Sequence, residues 1–236
     1  MTALALRHAR AHEERPPLRW YGVYPALVDD VKDPDGQGRV RVTLPWSPDA
    51  DGGTFAAWAR LATMMGGSNR GTWFVPDEQD EVLVAFEGGD PRRPYVVGGL
   101  WNGSDSPPES MYGSGKNYVK AIHSRNGVVV TLYDHDGQEK LVLETPGGQK
   151  VTLQDGPGSI TIEDSNGNSI KLESAGITVT SSAKVTVNAS STVEISASSV
   201  TINAGMASFS GTVQCSTLIA SSVVGSSYTP GAGNVW

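Results

Sequence analysis

The sequence predicts an all-β protein: a small barrel followed by a shaft of short repeated strands in which several copies of the chain are wound together. Two observations support this prediction. Residues 20–102 contain five strand-like stretches separated by turns rich in Gly, Asp and Pro, and residues 127–204 repeat one apolar–polar–apolar triplet every seven to ten residues. The alternation within each triplet has the two-residue period of a strand with one apolar face.

Residues 1–18 precede the first strand and form an N-terminal arm. Its proline pair, Pro16 and Pro17, would end any helical turn begun within Thr2–His12. Two interpretations stay open for this arm: a solvated segment, or a segment that becomes ordered on a partner.

The barrel is predicted over residues 19–104. Its two clearest turns are Asp33–Gly38 and Gly88–Pro91, which have the composition of tight turns. Five strands in fewer than 90 residues, without a comparable helix, predict a closed or partly closed barrel. The expected strands are Tyr21–Val31, Arg39–Leu44, Ala57–Ala62, Glu81–Phe86 and Tyr95–Leu100. Residues 105–126 are rich in Gly, Ser and Pro and are predicted to be a linker.

The shaft is predicted over residues 127–205. Each triplet offers about two core side chains, too few to offset the roughly 1–2 kcal/mol per residue of backbone ordering. A lone chain of such strands would still expose its apolar face, whereas an intertwined homotrimer would turn all three faces to a shared axis. The triplets begin at Leu141, Val151, Ile160, Ile170, Ile177, Val185, Val193 and Val200.

Residues 206–236 form the predicted distal end. From Ser174 onward only Lys184 and Glu194 are charged, which is far less charge than a soluble monomeric surface normally carries. We therefore expect a narrow end that is tightly wound or that seats a cap.

Composition excludes several classes of function. The net charge of −7 gives no general attraction for nucleic acid or an anionic membrane. No apolar run approaches the ~20 residues of a membrane span, and residues 1–20 lack the apolar core of a signal peptide, so we expect folding in the cytoplasm. The single cysteine, Cys215, excludes an intrachain disulfide and is expected to be buried or half-buried.

Several segments resemble the phage baseplate assembly protein V and VgrG spike family. The matching barrel segments are Gly38–Trp46, Trp58–Ala62 and Gly71–Gly103, and the matching shaft segments are Thr145–Val151 and Ile162–Asn168. Their order and spacing agree over about residues 20–205. The resemblance implies three OB-fold barrels at the base and one intertwined triple-stranded β-helix as the shaft of a homotrimer. That spike would lie below the tail tube of a contractile injection apparatus: a phage tail, a tailocin, an extracellular injection system or, less expected, a type VI apparatus.

The sequence departs from larger family members in two ways. It shows neither their N-terminal hub region nor the lysozyme domain that some phage spikes insert between barrel and shaft. The resemblance then implies a separate hub protein at the N-terminal end, contacted by residues 1–18.

The tip also departs from part of the family. Some spikes end in a His-x-His pair that holds iron, and no such pair occurs near this C terminus. No metal or other cofactor is therefore expected, and the resemblance implies a separate PAAR-type cap. Its candidate contacts are Tyr228, Val235 and Trp236; the alternative is that this tail only closes the trimer. The four histidines are His8, His12, His123 and His135.

No arrangement in the sequence predicts catalysis. Two Asp-x-Asp-Gly patterns lack the remaining ligands of a calcium loop and are interpreted as turns. Four acids precede a predicted strand and are interpreted as a solvated loop. The serines have no neighbouring His and acid that would activate one of them. The acids are Asp33, Asp35, Asp134 and Asp136 in the two patterns, and Asp77, Glu78, Asp80 and Glu81 before the strand.

The sequence therefore predicts a non-enzymatic trimeric spike that joins a tube hub to a membrane-puncturing tip. One alternative is an adhesin or polysaccharide-active enzyme on a single-chain β-solenoid, although the stretch from Ser174 offers one Glu and no Asp for the paired carboxylates of such an enzyme. Another is a nucleic-acid binder, although residues 19–104 hold eight Arg and Lys against twelve Asp and Glu. The aromatic residues available for base stacking are expected to pack the barrel and its neighbours in the trimer; they are Trp46, Trp58, Trp73 and Phe74.

Overall fold

The computed structural model describes residues 19–48, 52–110 and 115–227, and within them every regular element is a β-strand except one 3-10 turn at Glu87–Gly89. The all-β prediction is confirmed. The chain divides into two units, one ending at Ser182 and the other beginning at Ala183. The predicted N-terminal arm, residues 1–18, lies outside the described residues.

The first part of the chain forms a closed five-stranded barrel, as predicted. The order around the barrel is β1-β2-β3-β7-β6, with β3 and β7 parallel and the other neighbours antiparallel. Along the chain, a two-stranded hairpin formed by β4 and β5 lies between β3 and β6. The strands are β1 (Val23–Asp30), β2 (Arg39–Pro48), β3 (Thr54–Leu61), β4 (Gly66–Gly67), β5 (Arg70–Gly71), β6 (Glu81–Phe86) and β7 (Pro94–Gly99).

The barrel has a continuous core because alternate residues of its strands point inward. In β6, for example, Val82, Val84 and Phe86 are buried while the residues between them are half-buried. Closing the sheet covers these side chains within one chain, and burial of each Val, Leu or Phe among them stabilises the fold by roughly 1.5–3 kcal/mol. The buried set is Ala26, Val28, Val40, Val42, Leu44, Ala59, Val82, Val84, Phe86 and Val96.

The next part is a seven-stranded antiparallel meander in which every strand pairs with its neighbours in sequence. Its first strand, Val119–His123, lies inside the segment 105–126 that the sequence predicts as a linker, so the sheet begins earlier than expected. All seven strands pair antiparallel, which differs from the parallel coils of a single-chain β-solenoid. The strands are β8 (Val119–His123), β9 (Val129–Tyr133), β10 (Lys140–Glu144), β11 (Lys150–Gln154), β12 (Ser159–Glu163), β13 (Ser169–Glu173) and β14 (Gly176–Thr180).

The described residues after the meander, 183–227, contain no strand that pairs within the chain. The sequence predicts shaft strands here from the triplets at Val185, Val193 and Val200, in the same pattern as those of the meander. Every described residue of this segment is exposed in the single chain. The triplets up to Thr180 therefore form paired strands within the chain. The similar triplets that begin at Val185, Val193 and Val200 form no assigned strand among the described residues.

Candidate interaction surfaces

The meander aligns the apolar triplet positions into two adjacent columns on one face, which we call the apolar ladder. Cross-strand pairing puts Leu141 opposite Leu153 and Leu143 opposite Val151, and the same register continues through β14. The register is strongly specified, because a slip of one residue would move the whole apolar set to the other face. One column is Leu132, Leu141, Leu153, Ile160, Leu172 and Ile177; the other is Ile122, Val130, Leu143, Val151, Ile162, Ile170 and Val179.

The apolar ladder is largely uncovered by its own chain. Nine of its thirteen side chains are between 39% and 71% exposed, whereas Val142 and Thr131, on the opposite face, are buried. A contiguous apolar face of this length on a soluble protein marks an interaction surface.

Three hairpin turns of the meander repeat one hydrogen-bonded design. The side chains of Ser124, Thr145 and Asp164 each accept a hydrogen bond from the backbone N–H four residues later, at 2.9, 3.3 and 2.9 Å. A glycine at the third following position adopts a φ of +82° to +84°. The side-chain and backbone donors of Asn168, with those of Asn166, lower the pKa of Asp164 to about 2.

These turns also stack on one another. A Cβ at Gly127 would lie 3.5 Å from Pro146 of the next turn, and one at Gly148 would lie 3.2 Å from the Cβ of Ser165 in the turn after that. This column of stacked turns was not predicted. The available signal was a hydroxyl or carboxylate residue followed by Gly three positions later, at Ser124, Thr145 and Asp164.

The barrel aromatics divide into a packed cluster and an exposed patch. Trp46 stacks on Tyr24 with ring centroids 4.9 Å apart and donates a 2.8 Å hydrogen bond to the Pro25 carbonyl. The guanidinium of Arg39 lies over the ring of Trp58, which supports packing rather than base stacking.

Trp73 and Phe74 are left uncovered by their own chain, so the prediction that they pack against neighbouring copies in a trimer stays a prediction. Trp73 is 76% exposed and Phe74 is 70% exposed, and the neighbouring Met64 and Met65 are exposed as well. They follow the β4–β5 hairpin, outside the alternating strands, where no two-residue period assigns a side chain to the interior.

The acids singled out in the sequence have structural partners. Asp33 binds Arg39 at 2.7 Å and accepts backbone N–H donors of its own turn, and Arg39 above all holds the pKa of Asp33 well below its usual range. The Asp33–Gly38 segment is therefore a turn, as predicted, and the ion pair with Arg39 that stabilises it was not predicted. Asp35 also forms an ion pair with the Arg39 guanidinium, at 2.6 Å.

The acidic loop before β6 connects the barrel to the meander. Asp77 lies 2.8 Å from the Arg125 guanidinium of the β8–β9 turn, Asp80 accepts the Asp77 N–H, and Glu81 accepts a 2.8 Å hydrogen bond from the Asn102 amide. Through these contacts Asp77, Asp80 and Glu81 hold the loop in place.

The remaining candidates do not converge on one site. His123 lies 3.6 Å from Glu109, while the His135 ring stacks on Tyr118. Asp134 pairs with Lys120. Within residues 19–48, 52–110 and 115–227, no three His, Cys, Asp or Glu side chains are placed to hold a metal ion.

Two further expectations concern the distal end. Cys215 is expected to be buried or half-buried, yet it is an exposed free thiol in the single chain. The candidate cap contacts Tyr228, Val235 and Trp236 lie outside the described residues. In the described part of the chain, no helix has the length and apolar character needed to cross a bilayer.

Two family models match the chain. Residues 24–101 match the type VI secretion system/phage-baseplate injector OB domain, and residues 140–207 match the phage baseplate V C-terminal trimerisation domain. The first match coincides with the closed barrel, and the second runs through the meander and ends in the segment where no strand is assigned among the described residues.

Curated relatives are similar over about half of the chain. They include the type VI secretion system spike proteins VgrG5, 35% identical over 149 residues, and VgrG1b, 26% identical over 127 residues, both of Pseudomonas aeruginosa. A third is the actin cross-linking toxin VgrG1 of Vibrio cholerae, 25% identical over 128 residues. The similar regions cover 58%, 51% and 50% of this chain but only 18%, 17% and 12% of those relatives.

Proposed function

This chain belongs to the family of phage-baseplate and type VI injector proteins, with an injector OB domain followed by a baseplate V trimerisation domain, and we propose that it forms a homotrimeric structural spike of a contractile injection apparatus. Sheath contraction would drive the tube forward, and the spike would concentrate that load on a narrow tip. The role is mechanical, and the proposal includes no enzymatic step.

The apolar ladder is the observation that carries this proposal. Its thirteen side chains lie in register on one face, and nine are exposed in the single chain. Three such faces turned to one axis would cover each other. This burial would stabilise the trimer by about 25 cal/mol per Å² of apolar surface removed from water. The family model that matches this region is itself a trimerisation domain.

The two parts of the shaft would contribute differently. Up to Thr180 each chain supplies a complete antiparallel sheet, so three sheets would pack through their ladders. No strand is assigned within the chain from Val185 to residue 227, so we restrict the intertwined triple-stranded helix to the residues after the meander.

The partners follow from the family resemblance. We propose a separate hub protein at the N-terminal end, next to the barrels, and a PAAR-type cap at the C-terminal end, contacted through Tyr228, Val235 and Trp236. The protein would be made in the cytoplasm and incorporated into a phage-tail-like particle that acts on a target-cell envelope.

Sedimentation equilibrium of the full chain tests the trimer. One chain has a mass of 24.9 kDa, so we expect a single species of three times that mass at micromolar protomer concentration. We also expect resistance to heat and detergent, because dissociation must break many interchain contacts at once. A species of one chain mass across the accessible concentration range would overturn the proposal.

A further inference from the structure

A cleft of about 550 Å³ lies between the β4–β5 hairpin and the turn that leads into β2. Ligand clefts in proteins commonly measure about 300–1,000 Å³. The base of the hairpin is fixed, because the Thr63 hydroxyl donates a 2.9 Å hydrogen bond to the Thr72 carbonyl and the Thr72 N–H donates one of 2.9 Å to the Met65 carbonyl. The walls of the cleft are therefore formed before any ligand binds. Its lining includes Gln37, Thr63, Asn69, Arg70, Trp73 and Phe74.

Two glycines make room for the two largest side chains of the cleft. A Cβ at Gly38 would lie 3.4 Å from the Trp73 ring, so the indole lies against bare backbone. A Cβ at Gly67 would lie 2.5 Å from Nε of Arg70, so the missing side chain lets the guanidinium lie across the hairpin. Trp73 is 76% exposed in this position, and its ring is therefore available to a ligand.

The side chains of the cleft differ in the chemistry that they offer. The Trp73 indole is a flat, rigid, largely apolar surface with a polar N–H, which suits the C–H face of a sugar ring. The amides of Gln37 and Asn69 both donate and accept hydrogen bonds, as sugar hydroxyl and acetamido groups require. Among the described residues that line the cleft, Arg70 alone is charged, and a guanidinium binds a carboxylate through two parallel hydrogen bonds.

We propose that this cleft binds an N-acetylated oligosaccharide that carries a carboxylate, with one sugar ring stacked on Trp73 and the carboxylate held by Arg70. In the described part of the chain no acid pairs with the Arg70 guanidinium, so it is available to a ligand carboxylate. OB folds in general bind oligosaccharides or oligonucleotides over strands 2 and 3 and the loop between strands 1 and 2. The cleft takes Gln37 from that loop and Leu61 from the end of β3. Sugar binding goes beyond the proposed mechanical role and does not depend on the trimer.

Two other occupants fit the cleft less well. A single-stranded nucleic acid could stack on Trp73, but residues 19–104 hold eight Arg and Lys against twelve Asp and Glu, which repels a polyanion. A neighbouring barrel packed on Trp73, as expected from the sequence, would also cover the Arg70 guanidinium. Covering that charge costs free energy unless the neighbour supplies a carboxylate. An oligosaccharide with one carboxylate satisfies both the indole and the guanidinium.

Two disaccharides that differ in charge test the proposal on the full chain. The probes are N-acetylglucosaminyl-N-acetylmuramic acid, which has a carboxylate, and neutral diacetylchitobiose, with binding followed by NMR of their acetyl methyl signals. We expect the acidic disaccharide to bind about tenfold more tightly, because it adds a charge-assisted hydrogen-bonded pair. Trp73→Ala should weaken both by about tenfold, whereas Arg70→Gln should weaken only the acidic one. The matched control is Trp101→Ala, since Trp101 is 67% exposed outside the cleft and its loss should change neither affinity.

Sedimentation of the same samples separates this inference from the proposed function. A trimer that binds neither disaccharide overturns the sugar site and leaves the spike in place. A monomer that binds the acidic disaccharide as expected supports the sugar site and overturns the trimer. If Trp73→Ala dissociates the trimer, the cleft is a contact between barrels and the sugar site is wrong. Tighter, salt-sensitive binding of a thymidine oligonucleotide would assign the cleft to nucleic acid and also overturn it.

Discussion

Apolar β-branched residues have opposite surroundings in the barrel and in the segment 183–227. Val40 and Val84 are fully buried in the barrel, whereas Val187 and Ile195 are more than two thirds exposed in the distal segment. The sheet order explains the difference, because the barrel closes on itself, whereas Val187 and Ile195 lie in a described stretch in which no strand is assigned. The meander is intermediate, with a paired backbone and an uncovered apolar face. Alternation alone therefore predicts strands and does not determine whether one chain can cover them.

The largest expected effect is at the distal segment, where burial would depend on association. Val187→Asp would place three carboxylates at the shared axis, and each buried unpaired charge costs several kcal/mol. We expect loss of the trimer at micromolar concentration, measured by sedimentation. The matched control is Thr186→Asp, which puts the same carboxylate one residue away on the outer face and should leave the trimer intact. If both variants remain trimeric, this segment does not bury its apolar positions against other copies.

A smaller effect, independent of association, is expected in the barrel. Val84→Ala should lower the free energy of barrel unfolding by about 2 kcal/mol, because it leaves a cavity in a closed core. Urea unfolding followed by tryptophan fluorescence measures this change. Val97→Ala is the matched control, since Val97 is 47% exposed on the adjacent strand and should change stability by less than about 0.5 kcal/mol. A Val84→Ala effect that varies with protein concentration would show that the barrel also depends on association.

Much of the fold could be predicted because its signals are local. The predicted strand Glu81–Phe86 has the bounds found in the structure, because its alternating apolar residues lie between turn-forming Asp80 and Gly88. The predicted strand Arg39–Leu44 lies within β2, which continues past Pro45 to Pro48. The meander triplets were likewise found by their period. The positions of Trp73 and Phe74 could not be predicted, since they lie outside any strand and follow no alternation.

The end of strand pairing within the chain after β14 was not predicted, although the sequence contains a physical signal for it. Most hairpins of the meander reverse the chain through a glycine with positive φ, at Gly127, Gly137, Gly148, Gly167 and Gly176. No glycine occurs between Gly176 and Gly205. The triplets in that stretch therefore lack the residue that would fold one strand back on the previous one.

The smallest expected effect concerns the stacked turns and tests how far the meander is stabilised within one chain. Gly148 and Gly167 have φ of +84° and +82°, so alanine at either position pays the same backbone cost of about 1–2 kcal/mol. Their surroundings differ, because a Cβ at Gly148 would lie 3.2 Å from the Cβ of Ser165 in the next turn, whereas one at Gly167 meets nothing within 4 Å.

Gly148→Ala should therefore destabilise its hairpin by about 1 kcal/mol more than Gly167→Ala destabilises its own, since the adjacent turn must shift to admit the methyl group. Hydrogen exchange of the Thr145 and Asp164 amides, which bond to the Gln149 and Asn168 carbonyls within the two turns, measures the local effect in each variant. Equal losses would mean that backbone conformation alone sets the turn stability and that stacking adds nothing. A larger loss at Gly148 would mean that each turn supports the next, so that the meander holds its register within one chain before other copies cover the ladder.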